Sequence, residues 1–133
     1  MVFDKLTSLF LFPIYHLIHR NIIFGILHKK LIKTFNYKNF KFFLNEKFTP
    51  LKNYSSFLFK TYEYNDRVLI ERNLNEDHKC IVVGGGIGFI ATLTYYLTKK
   101  KIFVFEINKH ILPTLKKNLK LNKCIFKLFS KNL

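Results

Sequence analysis

Residues Cys80 to Lys123 read CIVVGGGIGFIATLTYYLTKKKIFVFEINKHILPTLKKNLKLNK. An apolar run, Cys80 to Val83, leads into Gly84-Gly85-Gly86-Ile87-Gly88. A segment of helical period follows, and a second apolar run, Ile102 to Phe105, stops on Glu106. Strand, glycine turn, helix, strand and acid in that order make a βαβ unit. Glu106 is the single acidic residue after Asp77 in a strongly basic chain, and it falls at the carboxyl end of a strand. An isolated carboxylate in that place is a stronger candidate for ligand recognition than one among many.

The α/β pattern continues outward from this unit. Cys80–Val83 is apolar without alternation, the mark of a strand buried on both faces. The helix expected from Ile87 to Thr98 sets Ile87, Ile90, Ala91, Thr94 and Leu97 along one side. Asn108 is the expected N-cap of a second helix, whose apolar face is Leu112, Leu115 and Leu119, with Lys116, Lys117 and Lys120 outside. Pro113 delays regular hydrogen bonding to near Ile111. Cys124 to Phe129 reads as a third strand.

Toward the N-terminus the chain changes character. Residues 1–35 are apolar and basic, with Pro13, His16, His19, Arg20 and Asn21 breaking the apolar run before it reaches a membrane-spanning length of about 18 residues. The segment lacks the features of a signal peptide. It reads as an amphipathic helix or helix pair that packs on the domain or lies on an anionic membrane surface. His16 and His19 are spaced for two imidazoles on one face, but no Cys, Asp or Glu nearby completes a set, so no metal site is expected. Residues 36–78 form a lead-in region. Phe40–Leu44 and Phe57–Phe59 are read as two short strands about a loop at Pro50. A short helix with Val68, Leu69 and Arg72 around one turn is placed within Thr61–Leu74, and Asn73–Lys79 is a polar connector. The third region is 79–133.

A chain of 133 residues is at most one domain, and 49% hydrophobic content with 16 Phe and 7 Tyr suffices for a real core. The net charge of +15 would normally point to nucleic acid. Here the excess is nearly all Lys, the only arginines are Arg20, Arg67 and Arg72, and no recognition motif accompanies the charge. Codon composition rich in A and T accounts for Lys, Ile, Asn, Phe and Tyr together, and nucleic acid is not the expected partner. Two cysteines make no disulfide framework, so Cys80 and Cys124 read as buried free thiols in a reducing, cytoplasmic compartment.

A dinucleotide fingerprint would carry a third glycine where this chain has Phe89; the glycines fall instead as G-x-G-x-G, at Gly84, Gly86 and Gly88. With GGGIGF, VFEINKHILPTLKKNLKLNK and the Tyr62-Glu63 pair ahead of the polar connector, residues 40–133 resemble class I S-adenosylmethionine-dependent methyltransferases of the FkbM type. The resemblance implies a doubly wound, Rossmann-like parallel sheet, of which this chain carries the first half. It implies S-adenosylmethionine as cofactor, with Gly84, Gly85, Gly86 and Gly88 forming the loop at its methionine part. Glu106 would take the ribose and Ile107 lie against the adenine, with Glu63 approaching from the preceding segment. Val82 stands where the family has an acid. The family fold has about seven strands and this chain reaches the third, so an unpaired edge beside the first strand, offering self-association, is expected, and no catalytic residue is assigned. Two other readings stay open: a flavin or nicotinamide oxidoreductase fragment, and a non-catalytic protein that docks a membrane or partner through residues 1–35.

Overall fold

In the computed structural model, described for residues 33–58 and 60–130 with Ile26 and Lys29 as isolated positions, the chain is α/β. An antiparallel hairpin, β1 (Thr34–Tyr37) and β2 (Phe40–Phe43), comes first. Helices α1 (Leu51–Leu58) and α2 (Tyr64–Asn73) follow. Then β3 (Ile81–Val83), α3 (Phe89–Thr98), β4 (Ile102–Phe105), α4 (Leu112–Leu121) and β5 (Phe126–Phe129) alternate. The last three strands form a parallel sheet in the order β3-β4-β5. The sequence order of strands and helices from Cys80 onward is therefore the observed one.

A monotonic strand order sends both crossover helices to the same face of the sheet. Val82, Ile102 and Val104 point to that face and form one core with Ala91, Leu115, Leu119 and Cys124. The opposite face stays open: Ile81 is 66% exposed and Val83 73%. Here the expectation of a first strand buried on both faces fails, because among the described residues no element covers the second face. Cys80 is only half-buried, whereas Cys124 is buried and lies two residues ahead of β5.

Helix α3 lies between two cores. Its other side carries Phe89 and Leu93 into a second cluster with Phe35, Phe42, Leu44, Tyr54, Phe57 and Ile87. Phe89 is 1% exposed, and the rings of Phe35, Tyr37, Phe42 and Tyr62 stand 5.3 to 5.7 Å from its own. The molecule is thus layered: open sheet, then α3 and α4, then the hairpin with α1. Because both sides of α3 are covered, its buried set is wider than the single stripe expected and includes Thr92 and Thr98.

Three local expectations need correction. Phe57 lies in α1, not in a strand; Leu51, Tyr54, Ser55 and Leu58 follow a helical period behind Pro50, which at a helix start forfeits no intrahelical bond. Phe59 lies outside the described residues. The partner of β2 is β1, reached by the two-residue turn Lys38-Asn39, with Lys38 in the left-handed region at φ 50°. That hairpin crosses the boundary drawn after residue 35. Asn108 does not cap α4, whose N-cap is Ile111 with Pro113 in the first turn; its side chain instead accepts the His110 N–H at 3.0 Å. The remainder of the N-terminal segment, with His16 and His19, lies outside the described residues. Among those described, no helix is long and apolar enough to cross a membrane.

Hairpin and C-terminal helix are joined by two side chains. Asn118 accepts the Phe43 N–H at 2.7 Å and donates to the Phe43 carbonyl at 2.9 Å and the Ile87 carbonyl at 2.8 Å. Asn122, one turn on, accepts the Lys41 N–H at 3.1 Å and donates to its carbonyl at 2.9 Å. Two amides at i and i+4 thereby replace a neighbouring strand along the outer edge of β2.

Candidate functional site at the glycine bend

The bend between β3 and α3 is fixed from both ends. Gly84 and Gly85 donate their N–H groups to the Phe105 carbonyl at 2.9 and 3.1 Å, which ties the bend to the end of β4. Gly84, Gly86 and Gly88 all have positive φ, 76°, 51° and 90°, a region where side chains carry strain. Gly88 is the N-cap of α3, with no side chain capping it.

Glu106 stands at the mouth of this bend. Its Oε2 accepts the Gly86 N–H at 2.9 Å and its Oε1 accepts the Asn108 N–H at 2.8 Å. The residue is 8% exposed. Strand β4 delivers it there, since β3 and β4 run parallel in register and Val83 lies beside Phe105. Each carboxylate oxygen has two acceptor positions, so one on each remains for a ligand donor. Ile107, the next residue, is 69% exposed beside it.

A second carboxylate also approaches Gly86. A Cβ at Gly86 would lie 4.0 Å from Glu63 Oε1 and 3.9 Å from the Tyr62 hydroxyl. Glu63 is the N-cap of α2 and sits in the left-handed region, φ 47° and ψ 40°. Burial pushes its carboxyl up to about 7; the Tyr62 hydroxyl opposes the rise and Asp66 adds to it. Burial, then Glu63, raises Tyr62 in turn.

Beside the bend is an open cavity of about 460 Å³. It is lined by β3 with the flanking Cys80 and Gly84, by Asp66, Leu69 and Ile70 of α2 with Leu74 just beyond it, by Ile90 and Thr94 of α3, and by Glu63. Val82 lines it without bringing a charge. Of the residues singled out in the sequence, Glu106 and Glu63 both approach Gly86, and Glu63 and Gly84 line the cavity, whereas Gly86, Glu106 and exposed Ile107 lie outside its lining. No family model, curated protein or solved structure matches the chain.

Two glycines serve packing more than the site. A Cβ at Gly85 would come within 2.7 Å of both Val104 Cγ1 and Leu115 Cδ2, so the sheet and α4 close on it from inside. At Gly88 the near neighbour is again Leu115, at 3.1 Å. The approach that excludes a side chain at Gly88 is that of α4. Phe89, in the third glycine position of a dinucleotide fingerprint, is turned into the aromatic core. The sequence reading also missed Tyr62 as a site residue, although its pairing with Glu63 was noted; only the left-handed turn at Glu63 folds both against Gly86. Cys124 is not a usable nucleophile, as burial pushes its thiol up to about 11 against the hydrogen bond with Thr92. Among the described residues no group of three or more His, Cys, Asp or Glu gathers in a way that would hold a metal ion.

Proposed function

We propose that this chain is a Rossmann-like, FkbM-type methyltransferase fold that binds S-adenosylmethionine across the glycine bend. The observation that carries this reading is the 2.9 Å bond from the Gly86 N–H to Glu106. It fixes a carboxylate, with an acceptor position open on each oxygen, at the point where a parallel strand ends beside the bend. A vicinal diol is the ligand group that fills two such positions at once, and ribose carries one. Two further features agree. Exposed Ile107 offers an apolar surface for a purine next to the ribose. Beside Gly84, a cavity of about 460 Å³ lined also by Glu63 falls within the usual size of small-molecule sites.

When bound, the sulfonium supplies an activated methyl group. The residues of this chain hold and orient: Glu106 would fix the ribose, and Gly84 and Gly86 would admit the ligand against the backbone. Methyl transfer from a sulfonium depends mainly on alignment of nucleophile and leaving group, so the reading requires no acid or base among these residues.

Calorimetric titration of the full chain with S-adenosylmethionine and S-adenosylhomocysteine tests this. Binding of either, weakened at least tenfold in Glu106→Ala, is the expected result. Absence of heat with both, for protein whose circular dichroism reports an intact fold, would overturn it. Binding of a flavin or nicotinamide nucleotide in their place would substitute the oxidoreductase reading.

A further inference from the structure

We infer that Glu63, which approaches Gly86 as Glu106 does and lines the cavity, receives an ammonium group carried by the ligand. The inference deepens the proposed function and rests on it for the identity of the ligand. Its own ground is an imbalance of charge. The chain carries 23 Lys and Arg against 8 Asp and Glu. Yet among the described residues no cation pairs with Glu63, and the one ion pair there is Lys38 with Glu71. The charged or titratable groups around Glu63 are Tyr62 on the same turn, Asp66 on α2, Cys80 in the cavity lining and Glu106 at Gly86. None is positive. A half-buried carboxylate that lines a cavity, with no ion-pair partner among the described residues, is complementary to a cation that arrives from outside.

Backbone geometry supports the assignment. Glu63 occupies a left-handed conformation that costs a residue with a Cβ roughly 1–2 kcal/mol, and such strain persists where the surrounding structure requires it. Here it aims the carboxylate at Gly86. An adenosyl amino acid with its diol at Glu106 would have Glu63 available to its α-ammonium. Burial holds the empty carboxyl partly protonated near neutral pH, so binding an ammonium expels a proton.

The test titrates S-adenosylhomocysteine and 5′-methylthioadenosine, which keeps the ribose and thioether but has no ammonium, into the wild-type chain and Glu63→Gln at pH 6 and pH 8. The wild-type chain is expected to bind S-adenosylhomocysteine more tightly at pH 8, with a heat that varies with buffer ionisation because a proton is released. Glu63→Gln should weaken that ligand about ten- to a hundredfold at pH 8, abolish the pH dependence and leave 5′-methylthioadenosine unchanged. Equal affinity of wild type and variant for S-adenosylhomocysteine, without proton release in the wild type, overturns the role of Glu63 and leaves the proposed function standing. Failure of the wild-type chain to bind either compound overturns both. The wild-type proton release needs no variant, so it decides the matter even if Glu63→Gln does not fold.

Discussion

Adjacent glycines in the bend answer to different forces, and single substitutions separate them. At Gly84 a Cβ would meet nothing within 4 Å, so Gly84→Ala is expected to cost only its positive φ, about 1 kcal/mol. At Gly85 the Cβ would collide with Val104 and Leu115, and Gly85→Ala should cost about 1–3 kcal/mol through overpacking. Urea denaturation of the two variants gives the ranking; equal midpoints would refute it. Glu63 adds a pH dependence of defined sign. Its carboxyl titrates at about 7 in the folded chain and near 4.5 without burial. Between those values the folded state binds more protons than the unfolded state, so this group makes stability fall as pH rises from about 4.5 to 7 and level off above. Glu63→Gln should remove that component, read as a flatter plot of denaturation midpoint against pH. Glu106 was legible because it stands alone after Asp77, at a strand end. Tyr62 was not legible as its counterpart, because a left-handed turn at a glutamate leaves no trace in composition or spacing.

Elements show where a pattern specifies structure and where it does not. Strands β4 and β5 and helix α4 were readable because apolar runs and a leucine face of fixed period point one way. The run at Phe57 was not, since two phenylalanines about a leucine fit a strand or a helix equally and only the wider set around Tyr54 and Ser55 decides. Strand β1 was hidden for another reason: its turn, Lys38-Asn39, has no glycine, and a lysine takes the left-handed position. The role of α4 is larger than its leucines indicate. Asn118→Ala would leave the N–H and carbonyl of Phe43 and the Ile87 carbonyl without partners in a buried setting, at a cost of about 3 kcal/mol. Asn118→Asp should be comparably damaging, because a carboxylate has no N–H for the two carbonyls. Thermal unfolding of both variants checks this; a loss confined to one would assign the bond to donor or acceptor alone.

At the scale of the molecule the open sheet face is the dominant surface feature. Register places Ile81, Phe103 and Lys127 in one row and Val83, Phe105 and Phe129 in the next. Phe105 and Phe129 stack at 4.5 Å, and the Lys127 ammonium lies 5.1 Å from the Phe129 ring. Apolar rows of this kind, beside the outer edge of β3, favour association of copies. Phe103→Lys, at a position 38% exposed, should therefore lower the concentration dependence of light scattering without lowering the denaturation midpoint. Unchanged scattering would direct attention to the β3 edge instead. The resemblance implied an unpaired edge beside the first strand but not the exposed face, because an unbroken apolar strand reads as doubly buried whether or not a second layer is present.

The amides of Asn118 and Asn122 reach back over 75 and 81 positions to grip the hairpin. During synthesis β1 and β2 emerge from the ribosome long before the groups that close their outer edge. For most of translation that edge has backbone donors and acceptors exposed to any neighbouring chain. A nascent polypeptide arrested ahead of Asn118 should accordingly recruit chaperones that a polypeptide released past Asn122 no longer binds.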